Sequence, residues 1–202
     1  YIGDWSSEVW SSDLKKKKMG CNVDFSSTAD IAYSCDQLST GGLKTVYLVD
    51  RADLNTNGSL TVATGAGTIS GTGLDTDGVN VLTLGFNNKD GFSNFTDVKT
   101  LNADGSGSSV PTIQLEFIRM GATLRNALET IARPGAELVA FVETAAGTYH
   151  IVGYDFGLYA GTVDGASGVA RTDKNRFQLT LVGDENVLSY TMDETNFNKV
   201  NA

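Results

Sequence analysis

The sequence predicts a mainly β protein, a β-sandwich or half-barrel with one flanking α-helix at about residues 122–132 and long loops. Three observations carry that expectation. Short runs rich in Val, Ile, Thr, Tyr and Phe recur along the chain, separated by Gly, Asp, Asn and Ser. Gly is abundant (23) and Pro scarce (2) among 202 residues, which suits many short strands joined by turns. One stretch alone shows a convincing helical period: Leu124, Ala127, Leu128, Ile131 and Ala132 fall at i, i+3, i+4, i+7 and i+8. A chain of this length supports one good core. The expected organisation is an N-terminal arm over residues 1–20 and a single β-rich structural domain over residues 21–202.

Each element follows from local chemistry. Residues 21–40 are polar and Ser-rich and read as a loop with a short strand at Ile31, Ala32 and Tyr33. LKTVYLVD, residues 43–50, is a strand after the Gly41-Gly42 turn. Strands are expected at 59–63, 79–86, 95–101 and 110–120, with a Gly/Thr segment at 64–77 and a flexible loop at 102–109. The helix ends at Pro134-Gly135, because Pro lacks a backbone N–H and Gly tolerates a left-handed exit. ELVAFVE (137–143) and TYHIVGY (148–154) then form a hairpin through Thr144-Ala145-Ala146-Gly147, with the helix laid on it. Strands at 157–163, 175–182 and 187–192 follow, and residues 193–202 read as a polar tail.

The formal charge of −9 disfavours nucleic acid as a tightly held partner. Cys21 and Cys35 form no CxxC pair and His150 is the only histidine, so a zinc site is not expected. Free thiols and a single Cys21–Cys35 bridge both remain open. No run approaches the ~20 apolar residues of a membrane helix, so no membrane partner is expected. Asp53, Asn55 and Asn57, followed by Gly58, match the first half of a calcium loop, but Thr64 stands where a bidentate Glu is required. A turn needs the same residues for backbone reasons. His150 sits mid-strand and is expected to point outward if Ile151 points inward. The Gly-rich segments at 65–67 and 71–73 lack the Lys-Ser/Thr and helix of a phosphate loop. No catalytic group, metal or cofactor is assigned, and the expectation is a non-enzyme.

The candidate residues are instead those of an interface. Trp5 and Trp10, the only tryptophans, precede the run Lys15, Lys16, Lys17, Lys18. An arm meeting a neighbouring subunit is one reading, since aromatics anchor interfaces; a frayed tail is the other. Met19 stands as an alternative start, and a processed end is equally consistent. Without the first eighteen residues the chain holds 11 basic and 21 acidic residues, a balance of −10, so the four lysines either pair with an acidic surface or are solvated. Tyr149, Tyr154, Phe156 and Tyr159 form the one dense aromatic cluster, read as core plus interface, with Tyr149 and Tyr159 as the interface members. Exposed strands, arms and loops hand pairing groups to neighbouring copies. The loops at 65–77 and 102–109 are the expected inter-ring contacts.

The order of strand, Gly-rich loop, strand, helix, the hairpin LVAFVETAAGTYHIVGYDFGLYAG and then NRFQLTLVGDE resembles the tail tube and major virion structural proteins of tailed bacteriophages. Met19-Gly20-Cys21 with Gly42-Leu43-Lys44-Thr45-Val46-Tyr47-Leu48 is similar to small structural proteins of phages of Bacteroidetes-type bacteria. The resemblance spans roughly residues 21–192 and has no signature motif. It implies a virion subunit, made in the bacterial host cytoplasm, whose six copies form a ring. Stacked rings would then form a tube with an acidic lumen through which DNA passes without specific binding. Copies of itself and other virion proteins are the implied partners. A head–tail adaptor or stopper, a capsid decoration protein, and a carbohydrate- or surface-binding β-sandwich are the alternatives.

Overall fold

LVAFVET is apolar on both sides of the pleat, the mark of a strand buried on two faces, and it forms the strand around which the fold is arranged. The computed structural model describes residues 41–60, 68–69, 74–75, 78–88, 92–170 and 172–200. The elements are β1 (Leu43–Asp50), α1 (Arg51–Asn57), β2 (Ser59–Leu60), β3 (Thr68–Ile69), β4 (Leu74–Asp75), β5 (Val81–Leu84), β6 (Asn94–Leu101), β7 (Gly107–Ile118), α2 (Ala122–Ile131), β8 (Leu138–Thr144), β9 (Tyr149–Val152), β10 (Leu158–Ala166), β11 (Arg176–Gly183), β12 (Tyr190–Met192) and α3 (Glu194–Lys199). All belong to one compact unit, Leu38–Ala202. The arm expected over residues 1–20, with Trp5, Trp10 and Lys15 to Lys18, lies outside the described residues, as do Cys21 and Cys35.

β8 pairs antiparallel with β1 on one edge and with β9 on the other. β5 extends the β1 side. β12 extends the β9 side, and β3 adds to it as the one parallel pair among the described residues. A second set, β10-β11-β7-β6, is antiparallel throughout. It joins the first through a single pair, Leu158↔Leu138. The chain switches between the two sets at Gly153, where φ is +84° and a Cβ would stand 2.7 Å from the Leu138 carbonyl oxygen and 2.8 Å from Leu158 Cγ. Only glycine fits so tight a corner. β2 and β4 form a separate two-stranded piece.

The two sets enclose a core of Leu43, Val46, Leu48, Ile113, Leu115, Phe117, Leu138, Ala140, Val142, Val152, Leu179 and Leu181, with Leu128 and Ile131 of α2 closing it beside β10. The opposite face of β8, carrying Val139 and Phe141, packs with Val49, Leu54, Ile151, Met192 and Phe197 in a second core under α1 and α3. This two-sided burial explains the unbroken apolar run. The mainly β sandwich with a flanking helix at 122–131 is thus observed, and β1 has the expected bounds.

Several expectations are corrected. Two further helices exist among the described residues. Asp50 caps α1 through Ala52 N at 2.8 Å and Asp53 N at 3.3 Å, and Asp193 caps α3 through Asn196 N at 2.8 Å. The expected polar tail is therefore partly helix, with Phe197 buried against Tyr47 and Tyr149. α2 lies alongside β10, and its Leu128 and Ile131 share a core with Leu138, Ala140, Val142 and Val152 of the β8–β9 hairpin. β7 begins at Gly107, so the supposed loop at 102–109 is only a tight turn, closed by Asn102 N–H to the Ser106 carbonyl. Within 64–77 the described residues are β3 and β4, which pair with β12 and β2; the rest of that expected loop lies outside the described residues.

Candidate assembly surface

The β10-β11-β7-β6 sheet presents two strand edges without partners among the described residues. β10 meets β8 only at Leu158, which leaves Tyr159–Ala166 with one open edge. β6 pairs with β7 along its whole length, from Asn94↔Gln114 to Leu101↔Gly107, and its other edge is open. Four antiparallel strands alternate in direction, so β10 and β6 run opposite ways. Long open edges invite pairing with another chain unless charge, proline or bulges blunt them. β10 carries a bulge between Ala160 and Thr162; β6 carries neither bulge nor proline.

The outer face follows from register. One row is Tyr159, Val182, Thr112 and Thr96; the next is Thr162, Thr180, Gln114 and Asn94; Val98 stands beside Val110. This surface is rich in hydroxyl groups and poor in charge. Its apolar members are well exposed: Val98 57% and Tyr159 53%. Leu101, at the end of β6, is 75% exposed.

The inner side of β6 is held from within. Phe95 lies 5.6 Å from the His150 ring. The Asp97 carboxylate accepts from Ser109 Oγ, from Ser189 N at 2.6 Å and from Ser189 Oγ at 2.7 Å. Lys99 donates to the Asn186 carbonyl at 2.7 Å. β6 is thus a fixed edge, because its side chains tie it to the segment at 185–189 and to β9. His150 is half-buried on this side, its ring against Phe95; in a strand covered on both faces, Ile151 turning to one core sends His150 toward the other. Burial holds its pKa below the ordinary value, with Asp97 opposing.

The outer face has one concentrated charge site. Glu116 is 0% exposed although it points away from the main core. Its carboxylate accepts from Arg176 Nη1 at 2.7 Å, Lys174 Nζ at 3.0 Å and Asn87 Nδ2 at 3.0 Å. Burial opposes ionisation, but the hydrogen bonds from Asn87, Lys174 and Arg176 outweigh it and hold the carboxyl below its usual range. Glu185 is the opposite case: burial raises its pKa even though Asp155 N and Phe156 N donate to it at 2.8 and 3.3 Å.

The other candidate residues scatter. Asp53, Asn55 and Asn57 lie on helix α1, not in a loop. Positions i, i+2 and i+4 of a helix cannot converge as a calcium loop does. The Asp53 carboxylate is already engaged by Asn57 Nδ2 at 2.6 Å and by Asn80 N at 2.8 Å. The partial calcium motif is therefore the body and C-terminal end of a short helix. No group of three His, Cys, Asp or Glu side chains among the described residues is placed to hold a metal. Tyr149 is not at a free surface; it packs on Phe197 at 4.8 Å between ring centres. Tyr159 does stand on the exposed outer face.

A cavity of about 390 Å³ separates α2 from the far ends of β10 and β11, lined by Met120, Leu128, Val163 and Phe177 with Arg125 and Glu129 at its rim. Among the described residues no helix is long and apolar enough to cross a membrane. No family model, curated protein or solved structure matches the chain. The β6 edge was not singled out by sequence reasoning. Its signal was present in FTDVKTL, whose alternation leaves Val98 on a face with no apolar partners of its own.

Proposed function

We propose that this chain is a non-enzymatic structural subunit that assembles with copies of itself, as a tail tube subunit of a tailed phage does. The observation that supports the reading is the four-stranded sheet with an open edge at each side. Its two edge strands run in opposite directions. A copy related by simple rotation therefore sets its β10 antiparallel to β6, and the sheet continues from subunit to subunit with no change of hydrogen-bonding pattern. Repetition of one head-to-tail contact closes into a ring when the rotation allows. The threonine-rich outer face suits a surface past which DNA moves: its paired cations, Lys174 and Arg176, are held by the Glu116 carboxylate, which weakens their exchange for the counterions of the phosphate backbone. The net charge of −9 works in the same direction. On this reading the lumen is lined more by hydroxyl groups than by carboxylates.

Negative-stain electron microscopy of the purified protein, with its mass in solution, tests the proposal. Stacked rings or hollow tubes are the expected outcome. A particle that stays monomeric at high concentration would remove the reading.

A further inference from the structure

β6 reads almost the same in both directions. About Val98 the strand is Phe95-Thr96-Asp97-Val98-Lys99-Thr100-Leu101. Laid antiparallel against a second copy with Val98 opposite Val98, it sets Thr96 against Thr100, Asp97 against Lys99, and Phe95 against Leu101. By symmetry each pair occurs twice. Hydroxyl–hydroxyl, opposite-charge and apolar pairs directly across an antiparallel ladder are the stabilising combinations. A shift of two residues would instead place Asp97 opposite Leu101 or opposite Asp97 of the copy and lose both ion pairs.

The structure makes this edge available. Among the described residues β6 is paired on one side only. Thr96, Val98, Lys99, Thr100 and Leu101 are exposed. The bonds that Ser109 and Ser189 donate to Asp97, and that Lys99 donates to the Asn186 carbonyl, fix the strand without setting an opposite charge against either side chain. Asp97 and Lys99, of opposite sign, lie two residues apart on the same face of the strand.

We infer that a second copy of this chain pairs with β6 through a twofold axis at Val98, giving a dimer whose sheet runs on across eight strands. The dimer stands on the β6 edge alone. It bears on the ring proposed above in one way: an edge capped by its own copy is closed to β10 of another subunit. The twofold dimer is thus an unassembled form that shields the edge, and assembly has to exchange one pairing for the other.

Val98 is exposed on the outer face, so its replacement leaves the packed interior alone. Val98→Asp and Val98→Lys are each made in the full chain, and masses are measured at equal concentration for each variant and for their 1:1 mixture. Each variant by itself is expected to be monomeric, because like charges meet on the axis. The mixture is expected to recover a dimer containing one copy of each. Wild type that is monomeric throughout, or variants that dimerise as well as wild type, would overturn the inference. So would a mixture that stays monomeric, since a head-to-tail contact opposes Val98 to a different residue. Tubes or rings from wild type with no dimer would sink the inference and leave the assembly reading intact. A rescued dimer that never forms higher assemblies would do the reverse.

Discussion

Replacing Glu116 by Gln removes the carboxylate that binds Lys174 and Arg176 on the outer sheet face, and its cost follows from the geometry. The carboxylate is 0% exposed and accepts two charge-assisted bonds at 3.0 and 2.7 Å, plus one from Asn87. Bonds of that kind contribute about 1.5–3 kcal/mol each. The cations are about a third exposed, with side-chain values of 38% and 35%, so water recovers part of what they lose. A glutamine keeps one acceptor and aims an amide donor at a cation. The expected loss is about 2–3 kcal/mol, read as a urea midpoint lower by about 1 M at an unchanged slope. The pH dependence has a definite sign. Glu116 ionises more readily in the folded protein than in the unfolded chain. Its contribution is therefore complete above the unfolded value near ~4.3 and disappears as pH falls through the lower folded value. The gap between wild type and the variant should be full at neutral pH and close in acid. Glu129→Gln, on exposed α2 with Arg125 at 3.7 Å, is the control and should change little. A Glu116→Gln variant within about 0.5 kcal/mol of wild type, the ordinary range of surface substitutions, would refute the reasoning, as would a gap that does not depend on pH.

Three further outcomes are expected. Gly153→Ala meets the Leu138 carbonyl oxygen at 2.7 Å in a backbone with φ of +84°, and should lower stability by at least about 1–3 kcal/mol in thermal or urea unfolding; an unchanged transition would show that the corner is not tight. Phe197→Ala removes the ring between Tyr47 and Tyr149 and should cost about 3–5 kcal/mol while weakening the near-ultraviolet tyrosine signal; no change would restore the reading of residues 193–202 as a tail. His150→Phe should flatten the loss of stability between pH 7 and pH 5, because burial depresses the folded pKa and the unfolded chain takes up the proton first as pH falls; wild type and variant profiles of equal slope there would contradict it.

The sequence was most legible where one residue's surroundings are set by its near neighbours. β1 and the stop after α2 are read correctly from pattern and from Pro134-Gly135. α1 and α3 were not, because helices of 7 and 6 residues bury only Leu54 in one and Asn196 with Phe197 in the other, too few to show a period. Asp50 and Asp193, each capping an N–H within three residues, were the available signs. The half-buried settings of His150 and Tyr149 were not legible for a different reason. Alternation tells which residues share a face but not what covers it, and the β8–β9 layer is covered on both sides. The open edges of β6 and β10 depend on which strands come together across more than fifty residues, and no local pattern records that.

A reconstruction of the assembled particle by electron cryomicroscopy tests the central claim most directly, because it shows which surfaces meet. A sheet that runs without a break from β6 of one subunit to β10 of the next around a closed ring is the predicted result. Subunits that meet through other surfaces, with both edges left open, would contradict it.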